Sequence, residues 1–401
     1  MYTHTIVSLD NISQKGLSLF PGDKYQVIIP DLKKVFPFGN AVVLRSSDLH
    51  TTAVWLKSDK MLAVARAGAG TNNIPVAELS ENGIVVFNTP GANANSVKEL
   101  VIASMIMALR KLMPALDKAR EIVAAGGEVL KTAEKAKKAF SGNEIAGKTL
   151  GVIGLGQIGV LVANAATALD MNVIGYDPNI TVHSAWRIHD AVVRAKTIEE
   201  LLEKADVVSI HVPFLNETKN LLGPKNLKRL KHGSVVLNFA RNGIVDVKTM
   251  KEVLESGQCR SYITDFLNSA FVGMENVIQL PHLGASTEEA EERCAVMAVN
   301  ELRDYLEDGN IKNSVNFPDV ELGKSTDTRI VVLHKNKPGM LGDLAQVLGR
   351  KNINIIRMTN DSKGEFAASL LDVENKNVSF ETEARLKEQE GVLRVRILLP
   401  E

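Results

Sequence analysis

The stretch that most limits what this 401-residue chain can fold into is Thr149-Leu-Gly-Val-Ile-Gly-Leu-Gly-Gln-Ile-Gly159. Residues 149–153 read as a buried strand, Gly154-x-Gly156-x-x-Gly159 as a turn, and residues 160–169 as an apolar helix. Gly154 permits the tight turn, Gly156 leaves the backbone open to a pyrophosphate, and Gly159 lets helix and strand pack closely. The first N–H groups of the helix are then free to meet phosphate oxygens. Alone, such a glycine pattern is often only a turn. Here a second strand, Asn172-Val-Ile-Gly-Tyr176, ends at Asp177. An acid at that place bonds both ribose hydroxyls of a dinucleotide and repels a 2′-phosphate, so NAD rather than NADP is the expected cofactor.

Composition narrows the class. Lys+Arg and Asp+Glu are both 47, so no charge excess recruits nucleic acid or an anionic membrane, and the Lys-rich stretch 131–138 reads as the solvated face of a helix. Cys259 and Cys294 are too few for a disulfide framework and lack metal-ligand spacing, so no metal is expected. The first residues lack a basic start and apolar run, and the apolar helix near 97–109 is short and carries Lys98 and Glu99. The expectation is a cytoplasmic protein.

In order along the chain, residues 1–96 alternate short apolar runs with turns and read as a small α/β layer. Two of its strands end in cations. Arg45 closes Val43-Leu-Arg-Ser-Ser47, and Arg66 precedes the glycine-rich loop Ala67-Gly-Ala-Gly70. Strand C-termini are where open α/β sheets bind ligands. Ser96-Val-Lys-Glu99, Thr197-Ile-Glu-Glu200 and Ser286-Thr-Glu-Glu289 have the capping-box pattern that opens a helix. Residues 97–286, with strands near 206–211, 234–239, 262–265 and 277–280, alternate strand and helix as a parallel doubly wound sheet does. The helix after residue 287 returns the chain to the first layer. The expected fold class is therefore α/β: a Rossmann nucleotide domain at 97–286 inserted in a smaller flavodoxin-like domain at 1–96 and 287–315. Residues 326–401 follow in βαββαβ order, a ferredoxin-like sandwich too small to bury a dinucleotide.

Three polar residues fall at strand ends of the central domain: Arg241 after Asn238-Phe-Ala, Asp265 after Ile263-Thr, and His282 in Leu280-Pro-His-Leu-Gly-Ala285. Hydride transfer at a carbinol needs a base for the hydroxyl proton and a cation for the developing carbonyl and its neighbouring carboxylate. Histidine titrates near neutrality and arginine presents a planar fork, so His282 and Arg241 are the catalytic candidates.

These stretches, together with Asn95-Ser-Val-Lys-Glu99, His211-Val-Pro213 and Ser314-Val-Asn-Phe-Pro318, resemble the D-2-hydroxyacid dehydrogenases, in particular the branch that carries a C-terminal ACT domain and oxidises 3-phosphoglycerate. The resemblance implies that Arg241 binds the substrate's 2-oxygen and carboxylate and that His282 exchanges the proton. It implies that Asp265 bonds the nicotinamide amide, and that Gly154, Gly156, Gln157, Ile158, Gly159, Asp177, Val212, Phe239, Ala240, His282, Leu283, Gly284 and Ala285 line the cofactor. Ala69 and Gly70 would hold the carboxylate through backbone N–H groups, and Arg45 and Arg66 would reach the phosphate, two cations for a dianion.

Leu333-His-Lys-Asn-Lys-Pro-Gly339 and Asn352-Ile-Asn-Ile355 resemble the loops that bind L-serine between two ACT domains, which makes His334, Asn336 and Asn354 the effector candidates and a homodimer or homotetramer the expected assembly. One departure stands out. The family pattern has a glutamate shortly after the aspartate, paired to the histidine, whereas Asp265-Phe-Leu-Asn-Ser-Ala270 has no further acid. A less basic His282, and keto-acid reduction that slows as pH rises through neutrality, is the expectation. Oxidation of another 2-hydroxy acid (lactate, glycerate, 2-hydroxyglutarate) and a non-catalytic NAD-sensing role are the alternatives.

Overall fold

The computed structural model describes residues 3–30, 39–50, 58–374 and 378–400. The chain divides into two compact units, residues 94–287 and the remainder, 1–93 with 288–401.

The second-named unit holds a five-stranded parallel sheet of β1 (His4–Ser8), β2 (Tyr25–Ile28), β3 (Ala41–Leu44), β4 (Ala63–Arg66) and β5 (Val85–Asn88), in the order β2-β1-β3-β4-β5. That is the flavodoxin-like winding. β3 is buried at all four positions, as an apolar run covered on both faces should be. The helix Glu288–Asp308 packs Cys294, Ala295, Ala298, Leu302 and Tyr305 into the same core.

The nucleotide unit holds β6 (Thr149–Ile153), β7 (Asn172–Tyr176), β8 (Val193–Arg194), β9 (Val207–Ile210), β10 (Ser234–Asn238), β11 (Cys259–Thr264) and β12 (Val277–Gln279). All are parallel, in the order β12-β11-β10-β9-β6-β7-β8. The strand order reverses between β6 and β9, which is where doubly wound sheets take their ligands. Thr197 caps the helix Ile198–Lys204 as its sequence announces, accepting from the Glu200 amide. Ser96 does not cap. Its helix already begins at Ala94, and its buried hydroxyl donates to the Gly284 carbonyl at 2.9 Å, while Glu99 accepts from the Asn95 side chain. The polar stretch that follows is helical, Leu112–Ala125 and Val129–Ala136. Only Ile122 of these is buried; Leu112, Leu116 and Val123 stand exposed at helical spacing, and the Lys-rich stretch 131–138 is helical and solvated, as its sequence reads.

The C-terminal sheet is antiparallel, β14-β15-β13-β16, built from β13 (Thr328–Lys335), β14 (Ile355–Lys363), β15 (Phe366–Val373) and β16 (Val392–Leu398). Its helices Met340–Arg350 and Phe380–Lys387 cover Ile330, Val332, Leu371 and Val395. The opposite face packs Val331, Leu333, Ala368 and Leu370 into the core that holds Phe87, Tyr305 and Phe317. This module therefore belongs to the same compact unit as the first sheet.

Two arginines bolt it there. Arg329 grips Asp372 through Nε at 2.7 Å and Nη2 at 3.1 Å, while its Nη1 donates to the carbonyls of Asp308 and Gly323. Arg396 donates to the carbonyls of Tyr305 and Leu306, each at 2.8 Å. Both close the C-terminal turn of the helix Glu288–Asp308, where unsatisfied carbonyls and the negative end of the helix dipole favour cations. Among the described residues no helix is long and apolar enough to cross a membrane.

Candidate active site

The glycine turn lies directly at the reversal of strand order. Gly154 has φ +91°, and a Cβ on it would stand 2.8 Å from the His211 backbone after β9. A Cβ on Gly159 would stand 1.9 Å from the Gly154 carbonyl oxygen, so only glycine closes the turn. Gly156 differs: a Cβ there would meet nothing within 4 Å. No neighbour in the chain demands a glycine at that place, and the open space is what a pyrophosphate over the backbone requires. The helix Gln157–Ala168 starts there with no side-chain cap, its first N–H groups left for a ligand. The residues present fit a dinucleotide.

Around this turn Asp177 ends β7. One carboxylate oxygen accepts the Leu155 amide at 2.8 Å and the other the Asn179 amide at 2.9 Å, which fixes the acid beside the loop. Gln157 accepts from Arg187 at 2.7 Å, and Ile158 packs against the core beneath. Val212 is half-buried after β9, and Phe239 and Ala240 are buried after β10. Burial pushes the His211 imidazole down to about 3, so it is a neutral ring held by the Ser209 hydroxyl at 2.8 Å.

Arg241 stands exposed one residue beyond Ala240. Asn238 builds its turn: the amide donates to the Arg241 carbonyl and the side-chain oxygen accepts from Ala240. Asp265, 2 % exposed, accepts the amides of Leu283 at 2.7 Å and Gly284 at 2.8 Å. Both of its oxygens are thus engaged in holding the loop that carries His282. That loop carries a backbone cost, because His282 has φ +58°, a left-handed conformation that non-glycine residues adopt uncommonly. The ring of Phe266 meets the His282 imidazole edge-on at 5.3 Å. Within this unit, none of the described carboxylates bonds the His282 ring, in keeping with the missing glutamate.

In the other unit, Arg45 and Arg66 stand at the C-terminal ends of adjacent strands β3 and β4. Asp10 shapes the loop after β3 by accepting the amides of Arg45, Ser46 and Ser47 and the Ser47 hydroxyl. Burial works against its charge, but these donors outweigh it and hold the carboxyl below its ordinary range. Arg66 Nε donates to the Arg45 carbonyl at 3.0 Å, and Arg45 pairs with Glu291 at 2.5 Å. The Ala69 carbonyl accepts from Asn88 at 2.6 Å, fixing the loop through Gly70. Asp10, Ser96, Asn238 and Glu291 were not legible as site residues, since each acts on backbone or on a partner far away in sequence. Among the described residues no group of three or more His, Cys, Asp or Glu side chains is placed to hold a metal ion.

The three effector candidates do not converge within one chain. His334 is 2 % exposed and its ring nitrogens meet the Ser369 hydroxyl and the Lys335 carbonyl, both at 2.9 Å. Asn336 hydrogen-bonds Glu365 at the start of β15, whereas Asn354 bonds Glu374 past its end. At about 3.3 Å per residue those places are roughly 30 Å apart.

Comparison with known proteins accords with this geometry. Residues 102–284 match the model of the D-isomer specific 2-hydroxyacid dehydrogenase NAD-binding domain, and residues 328–391 that of the ACT domain. The D-3-phosphoglycerate dehydrogenase of Haemophilus influenzae is 31% identical over 98% of this chain and 94% of its own length. The chain belongs to the D-2-hydroxyacid dehydrogenase family. The Escherichia coli D-3-phosphoglycerate dehydrogenase is 29% identical with the same coverage. Among solved structures, the NAD+-bound 3-phosphoglycerate dehydrogenase of Entamoeba histolytica aligns with a TM-score of 0.60 at 27% identity, covering 78% of this chain and 99% of that one. A D-2-hydroxyisocaproate dehydrogenase, at 21% identity and a TM-score of 0.64, shares the fold. This family member is an NAD-dependent enzyme, with a Rossmann-type nucleotide sheet and an ACT domain.

Proposed function

We propose that this dehydrogenase oxidises D-3-phosphoglycerate to 3-phosphohydroxypyruvate, the entry to L-serine synthesis, and that L-serine restrains it through the ACT domain. The observation that carries the substrate is the pair Arg45 and Arg66 at neighbouring strand ends, two guanidinium groups placed together where a dianionic phosphate can be gripped. Near-full-length similarity to enzymes of that name supports the same reading.

In this mechanism Arg241 holds the substrate's carboxylate and 2-oxygen, and its charge stabilises the carbonyl as it forms. His282 takes the hydroxyl proton in oxidation and returns it in reduction. NAD, when bound on the glycine turn, supplies the hydride acceptor. Asp177 holds the ribose hydroxyls, and the backbone of Ala69 and Gly70 assists with the carboxylate. Asp265 keeps the His282 loop in place beside its role toward the nicotinamide. Asn336 of one chain and Asn354 of a second form the serine site, with the buried His334 ring, held by Ser369 and the Lys335 carbonyl, supporting the Asn336 loop; this makes the working protein at least a homodimer.

The test is NADH formation from 3-phosphoglycerate beside D-lactate and D-2-hydroxyglutarate, with the reverse reaction from phosphohydroxypyruvate, each with and without serine. Turnover selective for the phosphorylated substrate and suppressed by serine is the expected result. Turnover of unphosphorylated acids alone would discard the substrate, and tight NADH binding without turnover would favour a sensing role, the reading that the absent glutamate leaves open.

A further inference from the structure

The glycine turn offers a dinucleotide backbone N–H groups but no charge of its own, since Gly154 to Gly159 include no ionisable side chain. Asp177 beside it bonds the Leu155 amide and sets a negative charge close to where a pyrophosphate dianion has to rest. At Arg187 the chain comes back to this turn with a cation.

Past β7, Thr181 caps the short helix Val182–Ala185, and the segment after it runs along the helix Gln157–Ala168. Asn164, about two turns into that helix, pins the segment there. Its side-chain amide donates to the Arg187 carbonyl at 2.7 Å, and its side-chain oxygen accepts from the His189 amide at 2.9 Å. From this anchorage the Arg187 side chain reaches the first residue of the helix, where Nη1 donates to Gln157 Oε1 at 2.7 Å. The guanidinium is not needed to hold the segment, which Asn164 already fixes. Nor does it neutralise an acid. Among the described residues its side chain has no carboxylate partner and no hydrogen bond besides the one to Gln157. Arginine has no acceptor atom, so the Gln157 atom that faces it is the oxygen. The N–H₂ of that amide is turned away from Arg187 and has no partner among the described residues. Two exposed donor groups, one of them charged, thus stand unspent at the helix end that meets the phosphates.

We propose that Arg187 is a cofactor-binding residue, a guanidinium that Gln157 aims at the pyrophosphate of NAD. With Nη1 held by Gln157, the edge formed by Nε and Nη2 is left to take two oxygens of one phosphoryl group, the fork geometry that suits arginine to phosphate. Gln157 adds its amide N–H₂ as a neutral donor beside it. The cation offsets the charge of Asp177, so the acid can hold the ribose without weakening the dianion next to it. Because the guanidinium is exposed, salt screens its share of the affinity. The assignment holds whichever 2-hydroxy acid is oxidised.

The test is calorimetric titration of the full-length protein with NADH, NADPH, ADP and adenosine. Each is run at roughly 20 and 200 mM salt, between which the Debye length falls from about 20 Å to about 7 Å. Arg187→Met should weaken NADH and ADP alike by about tenfold or more at low salt. It should leave adenosine unchanged and flatten the salt dependence of both phosphate-bearing ligands. Arg187→Lys, which keeps the charge and loses the fork, should recover part of the affinity. Gln157→Leu, which removes the acceptor that aims the guanidinium, should weaken NADH too, and by less in the R187M background than alone. NADH affinity that R187M leaves unchanged overturns the proposal. So does an equal loss for ADP and adenosine, which would make Arg187 a structural residue, and so does a loss for NADPH without one for NADH, which would put the charge at a 2′-phosphate. If R187M unfolds in a melting control, Q157L decides by the same comparison of ADP with adenosine.

Discussion

Asp265 accepts the amide hydrogen of Gly284 at 2.8 Å, across a sequence gap of nineteen residues. With Ser96 donating to the carbonyl of the same Gly284, the loop behind His282 is held from both sides. The left-handed φ of +58° at His282 persists because these bonds over-determine it. Asp265→Asn puts an amide N–H₂ where one backbone N–H now points. Loss of a charge-assisted bond of about 1.5–3 kcal/mol should lower the melting temperature by roughly 5 °C and, by loosening the His282 loop, lower kcat for keto-acid reduction on the order of tenfold to a hundredfold. An unchanged kcat would show that the loop holds its shape without Asp265.

The two cations of the first sheet should separate phosphate recognition from chemistry. Arg66→Met is expected to raise KM for 3-phosphoglycerate by about 10–100-fold, the worth of a charge-assisted contact. Any slow turnover of D-lactate should stay the same. Equal losses on both substrates would mean that Arg66 serves the loop through its bond to the Arg45 carbonyl rather than the phosphate.

Glu301, on the helix Glu288–Asp308, is 7 % exposed; one oxygen accepts from Asn313 at 2.8 Å and the other is buried without a partner. Burial, with Asp319 adding to it, pushes this carboxyl up to about 8. The folded state therefore holds a proton that the unfolded chain has lost above its ordinary value, so stability falls as pH rises from about 4.5 to about 8 and levels off beyond. Thermal melts across pH 5.5–8.5 should show the decline in the native protein, on the order of a few kcal/mol. Glu301→Gln should flatten that slope and raise the melting temperature at pH 8.

The pair Arg329–Asp372 is 1 % and 0 % exposed at its two side chains. Arg329→Met leaves Asp372 buried with the half-exposed Arg357 and the Ser325 side chain beside it and frees the carbonyls of Asp308 and Gly323. A loss of about 3–5 kcal/mol is expected, a fall in melting temperature on the order of 10 °C. Adding Asp372→Asn should recover part of it, since the stranded charge is then gone. No recovery would assign the loss to the helix-end carbonyls instead.

Much of the fold could be read from the chain because it is written in short-range signals. The glycine turn, the acid after β7 and the apolar runs of β9 and β10 each carry their own physical reason, and strand-helix alternation leaves few windings open. The ferredoxin-like order of β13–β16 was legible in the same way. What stayed hidden depends on distant partners. Ser96 has a capping-box spacing, yet Gly284 claims its hydroxyl. Asp10 looks like a turn residue until the loop after β3 is seen folded round it. His334 lies on an apolar strand whose two faces are both covered, so alternation could not show whether it meets solvent or core. The helix Leu112–Ala125 buries Ile122 alone and leaves Leu112, Leu116 and Val123 exposed, whereas the Lys-rich helix after it was legible from its charges.

On the proposed assignment of the serine site, the separation of Asn336 and Asn354 along β15 would make sensitivity to serine a property of chain encounters rather than of the chain. A lone molecule carries the halves of two such sites and completes neither, whereas Arg241 and His282 both lie in one nucleotide unit. Feedback of this kind obeys mass action between copies. As the protein is diluted below the concentration at which its ACT domains meet, it fades as a second-order quantity, while turnover per chain declines only with whatever else the partner supports.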